Sequence, residues 1–212
     1  NSTYAQGLAE ETQHYAEELG LTVTFYDAIN PDDQDFTPIL TKIGAANLDA
    51  IFFSGYHSQA GLLLKQAADL GMTVPWVTGN ASNNPVMVEI AGAENAQGTY
   101  IITEPLPKDL DYPEAKQFVA DYKAKYGEEP ASVWTIMAGE AFEVIKYAIE
   151  QTESTDSEVL AAYIHDEFKG VNGLTGPLQG WDEKGDRIGT IHVAYVIDEN
   201  GQFILNPQQP TP

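Results

Sequence analysis

Residues 48–58, LDAIFFSGYHS, decide the fold, because a short apolar run ends abruptly at a serine and a glycine before a new pattern begins. Two later stretches repeat this arrangement, 74–83 (VPWVTGNASN) and 98–104 (GTYIITE). Short runs of β-branched and aromatic residues bounded by glycine predict buried strands. An earlier run, 21–27 (LTVTFYD), is of the same kind, and the runs start about 25 residues apart, the spacing of strand-helix-strand units.

Helical patterns lie before and between these runs, at residues 4–19, 36–45, 58–70 and 84–91. Pro38 and Pro85 lie in the first turns of two of them, and Gly20 and Gly71 follow the last turns of two others. Proline just inside a helix start and glycine just past its end are typical of helix termini. Short apolar strands that alternate with helices predict an α/β fold, a Rossmann-like parallel sheet with helices on both faces.

The pattern changes after Glu104. Three longer helical patterns follow, and then a stretch broken by four glycines leads to two β-rich runs. The helical patterns cover 114–126, 132–151 and 157–168, and the β-rich runs cover 191–197 and 202–205. The middle region is therefore expected to supply helices and no strands of its own. Helices without a sheet bury their apolar faces poorly, so we expect this region to pack on something outside the chain.

The charge balance excludes several classes of partner. The chain has 32 acidic and 10 basic residues, a formal net charge of −22. Such a surface repels phosphate backbones and anionic lipid, which argues against nucleic-acid and membrane-surface binding. The sequence has no cysteine, which excludes disulfides, thiolate metal sites and cysteine nucleophiles.

No pattern of residues indicates catalysis, a cofactor or a metal. The four histidines lack the HxxxH and HExxH spacings, and the sequence has no GxSxG, no GxxxxGK[ST] and no GxGxxG after a strand. Two acidic loops, 182–186 (DEKGD) and 198–201 (DENG), lack the ligand spacing of a calcium loop. We therefore predict that both are hairpin turns and that the protein is not an enzyme.

Ligands of open parallel sheets bind beyond the carboxyl ends of the strands, near helix N-termini. This rule selects four places, residues 2–4, 55–58, 79–83 and 103–104. Tyr4 and Tyr56 each begin a helix, where a phenol can stack on an apolar ligand and donate a hydrogen bond. By position alone they are equally well explained as surface or hinge tyrosines, and the Gly79-Asn80 pair as a loop that tolerates unusual backbone angles.

Several of these stretches, taken in order, carry a resemblance to a known family. Tyr4 and Gly7 open the first helix, FFSGYH follows at 52–57, and Phe118, Tyr122, Tyr126-Gly127 and Pro130 mark a later helix. The segment 176–178 (GPL) with 181–186 (WDEKGD) is similar to the most distinctive signature of that family. Together they resemble the leucine/isoleucine/valine-binding proteins of ABC transporters, from Asn1 to about Gln202.

The resemblance implies two Rossmann-like lobes joined by three crossovers, with a ligand between them. Residues 1–105 and 194–212 would form the second, C-terminal lobe without its first strand. Residues 106–193 would be the helical and hairpin return segment of the first lobe, whose sheet is absent. The chain would then be the last three fifths of a type I periplasmic binding protein, and the missing N-terminal lobe would be its partner.

The resemblance also suggests site residues. Tyr4 and Tyr56 match ligand-contacting tyrosines of the family, whereas Asn80 lies where amino-acid binders usually place an acidic residue for the ammonium of the ligand. A charged hydrogen bond is worth about 1.5–3 kcal/mol against about 1 for a neutral one, so losing the acid weakens ammonium binding about tenfold or more. Either another acid such as Glu104 replaces it, or the ligand is not an α-amino acid.

The function implied is that of an extracytoplasmic solute-binding protein of an ABC importer, periplasmic or extracellular, for which lipid anchoring is an option. It would bind an amino acid or a related small carboxylate or amide by hinge closure, without a cofactor, and dock on a membrane permease. An alternative is the ligand-sensing domain of a receptor or an amide-responsive regulator, and a more distant one is a Rossmann-like enzyme. The 212 residues contain no signal region.

Overall fold

The computed structural model describes residues 2–130, 132–189 and 191–209. Their helices are α1 (Thr3–Glu18), α2 (Thr37–Ala45), α3 (His57–Asp69), α4 (Pro85–Ala91), α5 (Ala93–Ala96), α6 (Pro113–Tyr126), α7 (Val133–Thr152) and α8 (Ser157–Asp166). Their strands are β1 (Ile51–Phe53), β2 (Trp76–Thr78), β3 (Tyr100–Thr103), β4 (Val171–Gly173), β5 (Gly176–Leu178), β6 (Val193–Ile197) and β7 (Phe203–Leu205). They fall into two compact units, one of residues up to Thr103 and from Val193 on, the other of residues from Glu104 to His192.

The first unit is built on a five-stranded sheet in the order β1-β2-β3-β6-β7. The pairs β1-β2 and β2-β3 are parallel, whereas β6 runs antiparallel to both β3 and β7. A turn at 198–202 joins β6 to β7, since the amide of Asp198 donates to the carbonyl of Gln202 at 3.0 Å. The predicted α/β class is confirmed. β6 runs opposite to the three parallel strands, and β7, at the end of the sheet, runs in their direction again.

The helix termini of the first unit follow from local chemistry. Ser2 caps α1 by accepting a hydrogen bond from the amide of Ala5 at 3.2 Å, and Asn84 caps α4 by accepting from the amide of Val86 at 2.9 Å. Each cap satisfies a backbone N–H that has no partner inside the helix. Gly71 follows the last turn of α3 at a φ of 71°, a conformation that costs glycine little.

One face of the sheet carries the core of the first unit. Residues in register on neighbouring strands point to the same face, as do residues two apart on one strand. Ile51 is in register with Trp76, and Ile101 is in register with both Thr78 and Tyr195. All five are buried. Helices α3 and α4 contribute the buried side chains Leu63, Leu64 and Met87. Burial of such side chains is worth about 1.5–3 kcal/mol each.

The prediction of a strand at 21–27 is wrong. These residues have no regular secondary structure, and Leu21 and Tyr26 are exposed. A strand exists only where its backbone pairs with a neighbour. In the described part of the chain, β1 is the edge of the sheet and has β2 as its single neighbour. The local pattern of 21–27 is that of a strand, but the pairing that would make it one is not formed.

The expectation that the middle region has no strands is also wrong. β4 and β5 form an antiparallel hairpin in which Val171 is in register with Leu178 and Gly173 with Gly176. Its strands have three residues each, too short for an alternating pattern to show in the sequence. Gly176 has a φ of 101°, which explains why glycine is needed where the hairpin turns back.

The second unit packs α6, α7 and α8 with this hairpin around two buried clusters. One joins Leu110, Ala115, Ile136 and Leu174, and the other joins Val144, Phe168 and Leu178. The predicted hairpin turn at 182–186 is confirmed, since the amide of Asp182 donates to the carbonyl of Asp186 at 2.8 Å and Trp181 bridges to Arg187.

A largely buried cluster of hydrogen bonds that includes an ion pair links the hairpin to α7. Arg187, the only arginine of the sequence, donates through Nη1 to Oε1 of Glu140 at 3.1 Å. Glu140 also accepts from the backbone amide of Thr175 at 2.6 Å and from its hydroxyl at 2.8 Å. We call Glu140, Thr175 and Arg187 the clasp. Glu140 and Thr175 are buried. The clasp gives the buried carboxylate of Glu140 a charged partner and hydrogen-bond donors, without which its burial would be strongly destabilising.

Candidate ligand-binding rim

The loops that follow the parallel strands lie at the same edge of the sheet. β1, β2 and β3 end at Phe53, Thr78 and Thr103, and parallel strands direct their carboxyl ends the same way. The candidate site consists of the residues of the first unit that the sequence singled out at this edge. We call them the rim: residues 2–4, 55–58, 79–83 and 103.

Three of the four predicted site residues meet at the rim. The hydroxyl of Tyr4 donates to Oδ1 of Asn80 at 2.6 Å. The rings of Tyr4 and Tyr56 lie 5.8 Å apart between centroids, tilted by 44°. Tyr4 is 39% exposed, Tyr56 44%, and Asn80 is half-buried. Such a cluster presents an aromatic surface beside an oriented amide, which suits a small ligand with an apolar body and a polar end.

Side chains behind the rim tie its segments together. The hydroxyl of Ser54 donates to the carbonyl of Ala5 at 2.7 Å, which joins the end of β1 to the start of α1. The buried hydroxyl of Ser82 donates to the carbonyl of Gly55 at 3.1 Å. Further along the edge, Nδ2 of Asn83 donates to Oγ1 of Thr103 at 3.3 Å. The rim is thus fixed by contacts that cross between four separate segments of the chain.

Gly79 lies close to the side chain of Leu8. A Cβ atom there would lie 2.7 Å from Cδ2 of Leu8 and 3.5 Å from the hydroxyl oxygen of Tyr4. Gly55 is in a similar position, because its Cβ would collide with the ring of Phe53. Since Gly79 has a φ of −84°, its backbone would accept any residue. The glycine therefore makes room for the side chain of Leu8, which lies on the same helix as Tyr4.

Glu104, the fourth predicted site residue, belongs to the second unit. It follows β3 directly, is 7% exposed, and its Oε1 lies 3.7 Å from Nε2 of His192. His192 directly precedes β6, so the pair lies next to the rung at which Thr103 and Val193 are in register. The sequence does not indicate that His192 lies near Glu104, because 88 positions separate them and no pattern predicts the antiparallel pairing of β3 with β6.

The rim has no acidic side chain, no lysine and no arginine. The described residues 2–4, 55–58, 79–83 and 103 include no aspartate, glutamate, lysine or arginine. No group of three or more histidine, aspartate or glutamate side chains suited to a metal ion occurs within the described ranges. Among the described helices, none is both long and apolar enough to cross a membrane. What the rim offers a ligand is aromatic surface beside neutral polar side chains.

An open α/β sheet with a neutral, aromatic rim at its carboxyl edge is the architecture of proteins that bind small molecules beyond their strand ends. A sequence family described as periplasmic binding protein matches residues 1–202. The chain belongs to this family. The expectation raised by the resemblance is thereby confirmed at the level of the family and of the fold.

Named relatives agree with this assignment. A Leu/Ile/Val-binding protein homologue of Brucella melitensis is 36% identical over 185 residues, which cover 86% of this chain and 48% of that protein. A leucine-binding protein of Thermotoga maritima has 32% identity and a TM-score of 0.86, with 97% of this chain and 57% of that one covered.

A branched-chain amino acid transporter substrate-binding protein of Streptococcus pneumoniae, solved in complex with isoleucine, has 27% identity and a TM-score of 0.76. The match covers 99% of this chain and 57% of that chain. This chain spans about half the length of the curated relatives it matches.

Proposed function

We propose that the complete protein is an extracytoplasmic solute-binding protein of an ABC importer, located in the periplasm or outside the cell. It binds an amino acid or a related small carboxylate or amide. The observation that carries the proposal is the grouping of Tyr4, Tyr56 and Asn80 at the carboxyl edge of the parallel strands. The names of the relatives support it, since they describe binding proteins for leucine and other branched-chain amino acids rather than enzymes.

The ligand would be held between the rim and a second lobe. In the open state the rim contacts water and the ligand has partners on one side only. Closure adds contacts from the other lobe, so the ligand binds the closed state more tightly and shifts the population toward it. The closed form then docks on the membrane permease. Tyr4 and Tyr56 would cover the apolar part of the ligand, and Asn80 would orient its polar end.

The second lobe would include a segment beyond these 212 residues. Helix α7 supports this proposal, because Trp134, Phe142 and Ile145 lie on one side of it and are 50%, 66% and 48% exposed. An apolar stripe of this size on a 20-residue helix is typical of a surface that packs on a sheet. We assign the N-terminal lobe of the same protein as its occupant, since the relatives are about twice as long as this chain.

The test is a binding screen with the complete protein, meaning this chain together with the N-terminal lobe. Isothermal titration calorimetry against amino acids, amides and aliphatic and aromatic carboxylates should give at least one ligand with a 1:1 stoichiometry. Small-angle scattering should show a smaller radius of gyration with ligand than without it. If an intact fold binds none of these compounds, the proposal is wrong. If a bound compound is chemically converted, the protein is an enzyme instead.

A further inference from the structure

The pairing of β6 with the chain after β7 is incomplete at its last rung. β7 ends at Leu205, which is in register with Tyr195, so the residue opposite Ala194 is Asn206. Two residues that face each other in this way in an antiparallel sheet exchange two N–H···O bonds. The amide of Asn206 donates to the carbonyl of Ala194 at 2.9 Å, which is the first of the two.

The carboxamide of Gln209 takes the place of the second bond. Its Oε1 accepts from the amide of Ala194 at 2.8 Å, and its Nε2 donates to the carbonyl of Asn206 at 2.5 Å. Nε2 also donates to the carbonyl of Ala194 at 3.0 Å. One carboxamide can make all three bonds, since it has an acceptor oxygen and two donor hydrogens. We call these three bonds the relay. Ala194 is 3% exposed, so its amide needs a partner within the protein.

The relay lies beside the point at which the chain passes from one unit to the other. The second unit ends at His192, and the first unit resumes at Val193, directly before Ala194. The other crossing within the described ranges, from Thr103 to Glu104, lies on the same rung, because Val193 is in register with Thr103. The relay therefore holds β6 at the end where it leaves the sheet.

The position of a hinge depends on where the backbone stops being held. Hinges are a few loop or element-terminal residues that absorb changes in φ and ψ. Without the relay the amide of Ala194 would lose its acceptor, and the end of β6 would open more often, because strand ends with few bonds fray first. Val193 and Ala194 would then join the flexible segment.

We propose that the relay of Gln209 confines the hinge at this crossing to residues before Val193. The inference rests on the proposed function, in which two lobes close around a ligand, and adds how that motion is restricted. A short hinge allows few open arrangements, so less conformational entropy is lost on closure. The relay thus favours closure by rigid-body motion over closure that disturbs the end of the sheet.

The test measures hydrogen exchange of the complete protein without ligand, resolved to single amides. In Gln209→Ala, the amide of Ala194 should exchange at least tenfold faster, because it loses its acceptor, and the amide of Val193 should also exchange faster. The amide of Val196, which lies between β3 and β7, should keep its wild-type rate. Gln209→Met should act like Gln209→Ala, since methionine has a similar length but no carboxamide.

Gln208→Ala is the matched control. It changes the neighbouring glutamine, which is exposed, and keeps the backbone bond from the amide of residue 208 to Oδ1 of Asn206. The exchange rates of Val193, Ala194 and Val196 should then equal those of the wild type. Thermal unfolding checks that all three variants remain folded.

Three results would overturn the inference. If Ala194 exchanges as slowly in Gln209→Ala as in the wild type, the relay does not hold β6. If Ala194 exchanges faster but Val193 does not, the relay holds one amide without limiting the hinge. If Gln209→Met keeps the wild-type rates, the bulk of the side chain acts and the hydrogen bonds do not. A failed binding screen would contradict the proposed function alone, because these rates are measured without ligand.

Discussion

Tyr4 and Asn80 are 76 positions apart in the sequence, yet the hydroxyl of one donates to the amide oxygen of the other at 2.6 Å. This bond joins the first turn of α1 to the loop after β2. It fixes the ring of Tyr4 next to Tyr56 and orients the amide of Asn80. This hydrogen bond thus joins the aromatic surface to the amide of Asn80 at the rim.

Tyr4→Phe should therefore weaken ligand binding by about tenfold in the complete protein, because the amide of Asn80 loses the group that orients it. Its ring would still cover the apolar part of the ligand. The free energy of unfolding should change by less than about 1 kcal/mol, since Tyr4 is 39% exposed. Calorimetry measures the affinity and urea denaturation the stability. Tyr126→Phe, at a tyrosine of the second unit that is 57% exposed, is the control. Equal affinity in both variants would contradict the assigned role of Tyr4.

Gly79→Ala should lower both stability and affinity. The added methyl group would lie 2.7 Å from Cδ2 of Leu8, so the side chain of Leu8, which lies on α1 with Tyr4, has to shift. The cost of such overpacking is about 1–3 kcal/mol. Gly44→Ala is the matched control, because the methyl group meets nothing within 4 Å and lies in helix α2. It should stabilise the protein by about 0.5–1 kcal/mol. A Gly79→Ala variant that binds as the wild type does would show that α1 adjusts without cost.

The features that the sequence predicted are those set by local patterns. The strand runs at 48–54, 74–78 and 98–103 and their intervening helices were found to within about three residues, because strand-helix alternation is visible in the chain. The positions of Tyr4, Tyr56 and Asn80 at one edge followed from the rule for parallel strands.

The features that the sequence missed depend on distant partners. Residues 21–27 have the composition of a strand, but no described segment pairs with them. The sequence does not predict the hairpin of β4 and β5, because closely spaced glycines are typical of interruptions in secondary structure. The hydroxyl of Ser82 beneath Gly55 and the side chain of Leu8 against Gly79 follow from three-dimensional packing, of which no sequence spacing gives a sign.

The clasp should account for much of the stability of the second unit. Glu140→Gln leaves the guanidinium of Arg187 without its charged partner in a largely buried site and should lower the free energy of unfolding by about 3 kcal/mol. Glu143→Gln provides the comparison, since it removes a pair with Lys146 on the surface of the same helix. That change should cost less than about 0.5 kcal/mol. Urea denaturation measures the free energy of unfolding of both variants. If the two variants lose similar amounts, the clasp contributes little to the stability of the second unit.

The turn at 182–186 should loosen in acid. The backbone amide of Asp186, with a smaller contribution from that of Lys184, donates to the carboxylate of Asp182 and lowers its pKa. A lowered pKa means that the stabilisation is present above the ordinary value of about 3.9 and is lost as the pH falls through the folded value. NMR titration of the Asp182 carboxyl and of the Lys184 and Asp186 amides measures both effects. In Asp182→Asn the amide shifts should no longer follow this titration; unchanged titration there would assign it to another group.

The apolar stripe of α7 should be buried in the complete protein. Phe142→Glu would then place a charge against the N-terminal lobe and lower the free energy of unfolding by about 2–4 kcal/mol. Val159→Glu, at a residue of α8 that is 44% exposed, should cost less than about 0.5 kcal/mol if that position faces water. Thermal and urea unfolding compare the two. Equal tolerance of glutamate at both positions would mean that the lobe does not cover Phe142.

The sheet of the first unit is assembled from segments on either side of the whole second unit, Glu104–His192. A ribosome adds about 5–20 residues per second, so β6 leaves the exit tunnel several seconds after β3. During that interval the edge of β3 that pairs with β6 has no partner. The first unit therefore cannot complete its sheet until the whole second unit has been synthesised.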